Sequence, residues 1–195
     1  MKQTLMRIYG WVLAPVVAVI WVTLNARQRA LVAEDRDQWC RWLRIGGGVA
    51  GLCWLVANRD EFRSVLYRRM GVKRFAINWW LRPLRDLYIT TTDIGGGLLI
   101  QHGFSTIISA ARIGRDCKIY HHVTLGFNHA LEAPVLGDNV EVCCGVKIIG
   151  GVTVGDNVLV GAGALVTHDV PPNSMVAGMP ARVIMHLDSK RDLTA

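Results

Sequence analysis

Apolar residues recur every six positions through the second half of this 195-residue chain, and this period restricts its possible folds more than any other feature. The longest unbroken series is Leu136, Val142, Ile148, Val154, Val160 and Val166. Small or apolar residues also stand four positions after each member, at Val140, Val146, Val152, Val158, Ala164 and Val170. Helices repeat about every 3.6 residues and strands every 2, so neither produces this pattern.

A period of six indicates a coil with flat sides, in which each hexapeptide makes one short strand and one turn. Gly-Asp-Asn at residues 137–139 and 155–157 suits such turns. Three sides close one coil of about 18 residues, and stacked coils pair as parallel ladders. An earlier series reads Ile94, Ile100, Ile107, Ile113, Ile119 and Leu125, with one extra residue before Ile107. The sequence therefore predicts a mainly β domain over residues 87–195, a parallel β-helix of hexapeptide repeats.

The first 86 residues have a different character. They contain 15 Lys and Arg against 6 Asp and Glu, whereas residues 87–195 contain 7 against 9. All seven Trp lie at or before Trp80. Basic residues combined with Trp favour an anionic lipid surface over a nucleic-acid groove. We predict that residues 1–86 form a helical domain that associates with a membrane, and we expect no nucleic-acid partner.

Two uncharged runs lie in this first part. Residues 8–26 reach the length of a spanning helix, are followed by Arg27 and Arg29, and contain Pro15, which predicts a kink. A cleaved signal peptide and a buried helical hairpin are the alternatives. The second run, residues 45–58, is too short to span and predicts an interfacial, re-entrant or core helix.

Residues 59–85 alternate between apolar and cationic side chains, with Trp79 and Trp80 close to Arg82 and Arg85. Interleaved Trp and Arg suit the headgroup layer of a bilayer. The alternative is a solvated helical face whose Trp side chains pack on the β domain.

The five Cys residues are an odd number without CxxC spacing, so we predict free thiols in a reducing compartment. This predicts a cytoplasmic protein, placed by the basic first part at the inner face of the cytoplasmic membrane.

Four segments of the second part match a known family. They are IGGGLLIQHG (94–103), IGRDCKIYHHVTLG (113–126), IGGVTVGDNVLVGAGALVTHDVPPN (149–173) and AGMPARVI (177–184). Residues 87–185 resemble the hexapeptide-repeat acyltransferases. Within that family they are most similar to the serine acetyltransferase-like group, which includes capsule and exopolysaccharide O-acetyltransferases. The stretch FRSVLYRRMG (62–71) is similar to the helical lead-in of the polysaccharide branch. The resemblance implies a left-handed β-helix, acetyl-CoA as cosubstrate, no metal, and a homotrimer with its active sites between adjacent prisms.

The resemblance also implies a catalytic histidine. His102, in Gln101-His102-Gly103, matches that residue of the family motif. A neutral imidazole can take the proton of an attacking hydroxyl and return one to the leaving thiolate. Family members orient this base with an aspartate, for which Asp86 is the residue we name and Asp93 the alternative.

A second histidine follows the repeat in the same way. His121 lies two residues after Ile119, as His102 lies two residues after Ile100, so we expect the two to stack on one edge and His121 to line the acceptor site. A zinc site is the alternative. It would need His122 as a third ligand, and His122 is expected to point to the other face.

The period breaks between Leu125 and Leu136, where 11 residues replace 6 and predict an extruded loop over residues 127–134. Such loops commonly contact substrate. The residues we name for this role are Phe127, Asn128 and His129. Serine acetyltransferases carry a second substrate histidine just before the proline of this loop, whereas this chain has Ala133.

For coenzyme A, the resemblance implies a groove lined by small-residue turns and a cation near the 3′-phosphate. The matching turn residues are Gly126, Cys144, Gly145, Ala162 and Gly163, and the matching cation is Arg182. Cys143 and Cys144 stand where the family usually has a Gly-Ala pair.

We therefore predict an acetyl-CoA-dependent O-acetyltransferase that acts on a hydroxyl of a surface polysaccharide or its precursor. Serine O-acetyltransferase of cysteine biosynthesis is the alternative within acetyl transfer. A zinc hydratase and a non-catalytic β-helical scaffold are the alternatives from other classes.

Overall fold

A computed structural model describes residues 13–187. The chain divides into two compact units, with the boundary between Leu84 and Arg85. The first unit is helical and the second is built from short strands.

Four α-helices and one 3-10 helix make up the described part of the first unit. They are α1 (Ala14–Thr23), α2 (Ala26–Leu43), α3 (Gly48–Asn58), α4 (Asp60–Met70) and the 3-10 helix Gly71–Ala76.

Helix α1 covers only part of the first uncharged run. Pro15 lies in its first turn, where proline begins a helix readily, so the predicted kink is absent from α1. The helix ends before Leu24, which is extended, and Asn25 then caps α2 through a capping box with Gln28. Residues 8–12 of the run lie outside the described residues. Among residues 13–187, no helix is both long enough and apolar enough to cross a bilayer.

The second uncharged run contains α3. Of the three predicted possibilities, an interfacial, a re-entrant or a core helix, α3 is a core helix. Leu52, Leu55 and Val56 are buried. A Cβ atom at Gly51 would lie 2.5 Å from the Gly46 carbonyl oxygen and 2.8 Å from Cys40 Sγ, so only glycine permits this close approach.

Helices α2 and α4 are joined by a buried ion pair. Arg69 donates through Nε to Asp35 Oδ2 at 3.0 Å and through Nη2 to Asp35 Oδ1 at 3.1 Å. The side chains of Arg69 and Asp35 are 5% and 2% exposed. Removal of either one would therefore leave the other as an unpaired charge in the protein interior, which is destabilising.

The described part of the second unit, residues 85–187, contains 15 short strands. They are β1 (Leu87–Ile89), β2 (Asp93–Ile94), β3 (Leu99–Ile100), β4 (Thr106–Ile108), β5 (Arg112–Ile113), β6 (Lys118–Ile119), β7 (Thr124–Gly126), β8 (Val135–Leu136), β9 (Glu141–Val142), β10 (Lys147–Ile149), β11 (Thr153–Val154), β12 (Leu159–Val160), β13 (Leu165–Val166), β14 (Ser174–Ala177) and β15 (Arg182–His186).

These strands form three flat faces. Face A contains β1, β4, β7, β10 and β13, face B contains β2, β5, β8 and β11, and face C contains β3, β6, β9, β12, β14 and β15. From β1 to β13, successive strands visit the three faces in turn, and β14 and β15 then both join face C. The strands pair in parallel, except for the antiparallel pair β14 and β15. The unit is a parallel β-solenoid of about five turns, and the predicted fold class is confirmed.

The six-residue series forms the solenoid core. All six members from Leu136 to Val166 are at most 1% exposed. The earlier series also predicts that Ile107 points into the axis of the coil, and this prediction is wrong, because Ile107 is 43% exposed whereas its neighbour Ile108 is fully buried. Ile108 pairs with Leu125, and Ile107 points outward beside Thr124.

The Gly-Asp-Asn turns stack at the corner between faces B and C. Asn139 Nδ2 donates to Asn157 Oδ1 at 3.0 Å, and Asn157 Nδ2 donates to Asn173 Oδ1 at 2.9 Å. All three asparagines have φ near +55°, a left-handed conformation that asparagine tolerates better than most residues.

Candidate active site

The candidate site lies where each strand of face C turns into the next strand of face A, which we call the C/A corner. Three backbone hydrogen bonds set its register. His122 N donates to Phe104 O at 3.1 Å, Gly145 N to His121 O at 3.0 Å, and Gly163 N to Cys144 O at 2.9 Å. Equivalent positions on successive coils are therefore held by Phe104, His121, Cys144 and Ala162.

The first coil carries two extra residues at this corner. Ile100 pairs with Ile119 and Ile108 pairs with Leu125, so eight positions in the first coil match six in the next. Gln101 keeps the register through its bond to the Ile119 carbonyl, and Phe104 restores it. The insertion is therefore His102 and Gly103.

His102 protrudes because of this insertion. Its φ is +57°, its side chain is exposed, and its carbonyl accepts a bond from Phe104 N that closes a tight three-residue turn. A positive φ at a non-glycine residue is uncommon and often marks a functional position. Among residues 13–187, no hydrogen-bond partner holds the imidazole of His102.

Phe104, and not His102, stacks directly on His121. The Phe104 and His121 rings are 4.8 Å apart and nearly parallel at 21°. The His102 ring lies 6.2 Å from that of His121 at 67°. The prediction that both histidines share one repeat phase is wrong, because the two-residue insertion moves His102 out of the column.

His121 is the most enclosed imidazole of the cluster. Its Nδ1 is buried without a hydrogen-bond partner. Burial, and then the neighbouring His122 and His102, lower the pKa of His121 below its usual value, so the ring is neutral at pH 7.

His122 belongs to the same cluster. Its ring is 5.4 Å from the His121 ring and meets it edge to face, which differs from the predicted orientation toward the other face. Within residues 13–187, no group of three or more His, Cys, Asp or Glu side chains is arranged to hold a metal ion.

The two candidate carboxylates lie elsewhere in the first coil. Asp86 is exposed just before β1, and its backbone carbonyl accepts a bond from Thr106 N. Asp93 begins β2 on face B and faces Arg112, with Oδ2 3.8 Å from Nε and both side chains about 60% exposed. In the described part of the chain neither carboxylate bonds to His102, so the orienting role of Asp86 stays a prediction.

A polar group stands beside the corner on face C. Glu141 accepts a bond from Tyr120 Oη at 3.0 Å and one from Lys118 Nζ at 2.9 Å. Burial and the Glu141 carboxylate raise the pKa of Tyr120. Burial, assisted by Glu141, raises the pKa of Cys143 to about 11. Cys143 is therefore a thiol at neutral pH and not a nucleophilic thiolate.

Most of the residues predicted for coenzyme A line the C/A corner. Cys144 with Gly145, and Ala162 with Gly163, occupy successive coils, and both glycines have positive φ. Gly126 lies at the opposite edge of face A, where its carbonyl accepts a bond from Gly150 N.

Arg182 begins β15, is exposed, and pairs with Ala177 of β14. Ala177 and Gly178 turn from β14 at the last coil of the C/A corner. The corner thus extends about four coil spacings, roughly 19 Å, between Phe104 and this turn.

The predicted loop, residues 127–134, is held by its own polar groups. Asn128 Oδ1 accepts bonds from Ala130 N and Glu132 N, and its Nδ2 donates to Glu132 Oε2 at 2.7 Å. The amide of Asn128 therefore organises the loop, and its predicted contact with substrate stays untested. Phe127 and His129 are exposed.

Phe104 and Lys147 are the site residues that the sequence analysis missed. Lys147 Nζ donates to the carbonyls of His122 and Gly145, at 2.6 and 3.4 Å, and so caps two successive turns of the corner. The spacing of eight between Ile100 and Ile108 was the signal that could have placed Phe104 in the column.

Comparison with known families and sequences supports the acyltransferase resemblance. Residues 133–168 match the family described as "Bacterial transferase hexapeptide (six repeats)". A serine acetyltransferase of Helicobacter pylori is 42% identical over 156 residues, which is 76% of this chain and 87% of that protein. A serine acetyltransferase of Synechococcus elongatus is 41% identical over 95 residues, which is 39% of the length of that protein.

Solved structures show the same fold. The crystal structure of serine acetyltransferase from Brucella abortus has a TM-score of 0.69 and 20% identity, covering 87% of this chain and 73% of that one. The Neisseria gonorrhoeae serine acetyltransferase in complex with serine has a TM-score of 0.67 and 22% identity, covering 81% and 69%.

Proposed function

The chain belongs to the serine acetyltransferase family of hexapeptide-repeat transferases, and from that membership we propose that it transfers the acetyl group of acetyl-CoA to the hydroxyl of L-serine. The observation that carries this proposal is the 42% identity to a serine acetyltransferase over 87% of that relative. The comparisons thus favour serine over the polysaccharide acceptor that the sequence analysis preferred.

His102 is the general base in this proposal. Its exposed imidazole removes the proton of the serine hydroxyl as the oxygen attacks the thioester carbonyl. The carbon–sulfur bond then breaks, and the imidazolium returns the proton to the leaving thiolate. The products are O-acetyl-L-serine and coenzyme A.

The C/A corner suits the extended cosubstrate. It is a continuous edge of roughly 19 Å, along which an extended cosubstrate arm can lie. Small residues at Cys144-Gly145 and Ala162-Gly163 permit close approach of the arm. Arg182 lies near the last coil, whereas His102 lies on the first coil. At that end of the corner the charge of Arg182 can pair with phosphate.

A sugar hydroxyl is the second candidate acceptor, and one observation favours it. The loop has Ala133 where serine acetyltransferases have a histidine, and Phe127 of the same loop is 52% exposed. An exposed aromatic ring is a common platform for a sugar face.

A comparison of acceptors tests the proposal. Thiol release from acetyl-CoA is measured with the purified full chain and L-serine, D-serine, or purified host polysaccharide and its repeat unit. We expect L-serine to give a kcat/KM of about 10⁴ M⁻¹s⁻¹ or above, with D-serine far lower. Turnover of the glycan without turnover of L-serine would replace the proposed acceptor with the second candidate, and no release with any acceptor would favour the scaffold.

A further inference from the structure

Residues 71–84, which follow α4, expose an unusual set of large apolar side chains. Val72 is 80% exposed, Phe75 63%, Trp79 74% and Trp80 54%. Large aromatic rings in water usually mark a binding surface. We call residues 71–84 the aromatic-basic surface.

Hydrogen bonds from α4 hold the backbone of this surface in place. Leu81 is buried, and its carbonyl accepts a bond of 2.6 Å from the buried Tyr67 hydroxyl of α4. Arg63, also on α4, donates through Nε to the Arg82 carbonyl at 2.8 Å. The backbone is thus anchored while both Trp rings point to solvent.

The charge of the surface is of one sign. Residues 71–84 contain Lys73, Arg74 and Arg82 and no Asp or Glu. Lys73 Nζ caps the carbonyl of Thr23, and the Arg74 guanidinium lies 5.0 Å from the Phe75 ring centre. Arg82 is exposed.

We propose that the aromatic-basic surface docks on an anionic phospholipid bilayer, with the aromatic rings in the headgroup layer and the cations on lipid phosphates. Trp at interfacial depth and nearby Lys or Arg are the two features that such contacts require. A second protein with an acidic apolar face is the competing partner. The lipid surface is favoured because residues 71–84 combine three cations and four exposed apolar side chains without any carboxylate, which matches a uniformly negative plane rather than a mixed protein surface.

The test is co-sedimentation of the purified full chain with vesicles. The vesicles contain phosphatidylcholine alone or an equimolar mixture with phosphatidylglycerol. We expect binding only to the mixture, with release at high salt because counterions screen the attraction. The double variant Lys73→Gln/Arg82→Gln should bind about 30-fold more weakly, since each cation near the lipid contributes about 1 kcal/mol. Trp79→Ser/Trp80→Ser should lose about 10-fold or more.

Two matched variants serve as controls. Arg27→Gln/Arg112→Gln removes the same charge from exposed positions elsewhere, and Val19→Ser/Val22→Ser removes exposed apolar side chains from α1. Both should bind the vesicles within about twofold of the unaltered chain.

Three outcomes would overturn the proposal. They are no binding of the unaltered chain to the anionic vesicles, equal loss in a control pair, and a changed molar mass of Trp79→Ser/Trp80→Ser in light scattering, which would assign the surface to a contact between copies. Acetyl transfer by the Trp variant without vesicles shows that it is folded, and the vesicle result does not depend on which acceptor the enzyme uses.

Discussion

His102 adopts a backbone conformation that costs roughly 1–2 kcal/mol for a residue with a Cβ atom. Glycine at this position would avoid that cost. The two-residue insertion produces this conformation and leaves the imidazole exposed.

We predict that His102→Ala lowers kcat by about 100-fold or more, because a positioned general base contributes about 10²- to 10⁴-fold. Coenzyme A binding should stay close to normal. Steady-state thiol release and equilibrium binding measure the two quantities. His168→Ala is the control, because His168 is exposed at a turn outside the C/A corner and should change kcat by less than about twofold.

His102→Gly separates chemistry from folding. This variant should lose the same activity while its free energy of unfolding stays equal or rises, since glycine accepts a positive φ freely. Activity within a few fold of the unaltered enzyme in either variant would remove His102 from its proposed role.

The Phe104 ring controls the environment of His121. It stacks on His121 at 4.8 Å and contributes to the burial that lowers the His121 pKa. We predict that Phe104→Ala raises this pKa toward the ordinary value of 6.5, because water then reaches the ring and stabilises its charged form.

Titration of the imidazole C2 protons by NMR measures this shift. In the unaltered protein, the His121 midpoint should lie below the ordinary value, and the ring should gain its proton only as the pH falls past that value. Phe104→Leu is the matched control, because it keeps most of the apolar cover. A His121 midpoint that does not change in Phe104→Ala would show that the lowered pKa has another cause.

At the scale of the elements, the glycines between faces B and C allow adjacent coils to touch. A Cβ atom at Gly114 would lie 2.3 Å from the Gly137 carbonyl oxygen and 2.4 Å from Asp138 Oδ1. Both contacts are shorter than any real Cβ contact, and the first is to backbone that cannot move aside.

We predict that Gly114→Ala lowers the free energy of unfolding by about 2–3 kcal/mol, as expected for overpacking against a rigid neighbour. Gly46→Ala is the control, because a Cβ atom there meets nothing within 4 Å. Its effect should stay within about 0.5 kcal/mol. Urea denaturation of both variants measures the difference, and equal stabilities would contradict the close stacking of coils.

The repeat could be predicted from the sequence wherever each coil has the same length. Between Leu136 and Val170, every member of the two six-residue series is buried. It failed at Ile107, because the first coil gains two residues at the C/A corner and loses one between Ile108 and Ile113. A periodic pattern in the sequence shows only the net number of residues that a coil gains or loses. It does not show at which corner each gain or loss occurs.

The first uncharged run was harder to interpret for a different reason. Hydropathy along residues 8–26 does not show where backbone hydrogen bonding stops. Asn25, inside the uncharged run, is the cap of α2, and Leu24 is extended before it, so α1 stops at Thr23. The capping box formed by Asn25 and Gln28 was visible in the sequence and is the signal that could have set this boundary.

At the scale of the whole molecule, the outer side of face A leaves apolar side chains in water. Tyr88 is 60% exposed and pairs with Ile107, which is 43% exposed. Phe104, 41% exposed, stands at the C/A edge of this face, and Phe127, 52% exposed, stands at the other edge. A single solenoid therefore leaves the candidate site open on one side.

We predict that three copies close this side by placing different faces against each other, which is the type of contact that generates a closed ring. Light scattering of the unaltered protein should give three times the chain mass of 21.6 kDa. Tyr88→Arg/Ile107→Arg should reduce the mass to that of one chain and abolish acetyl transfer, because charged side chains would be buried without partners. Val183→Arg/Ile184→Arg adds the same charge to the exposed strand β15 and should preserve both properties. A monomer with full activity would contradict the prediction, since a complete site would then need no second copy.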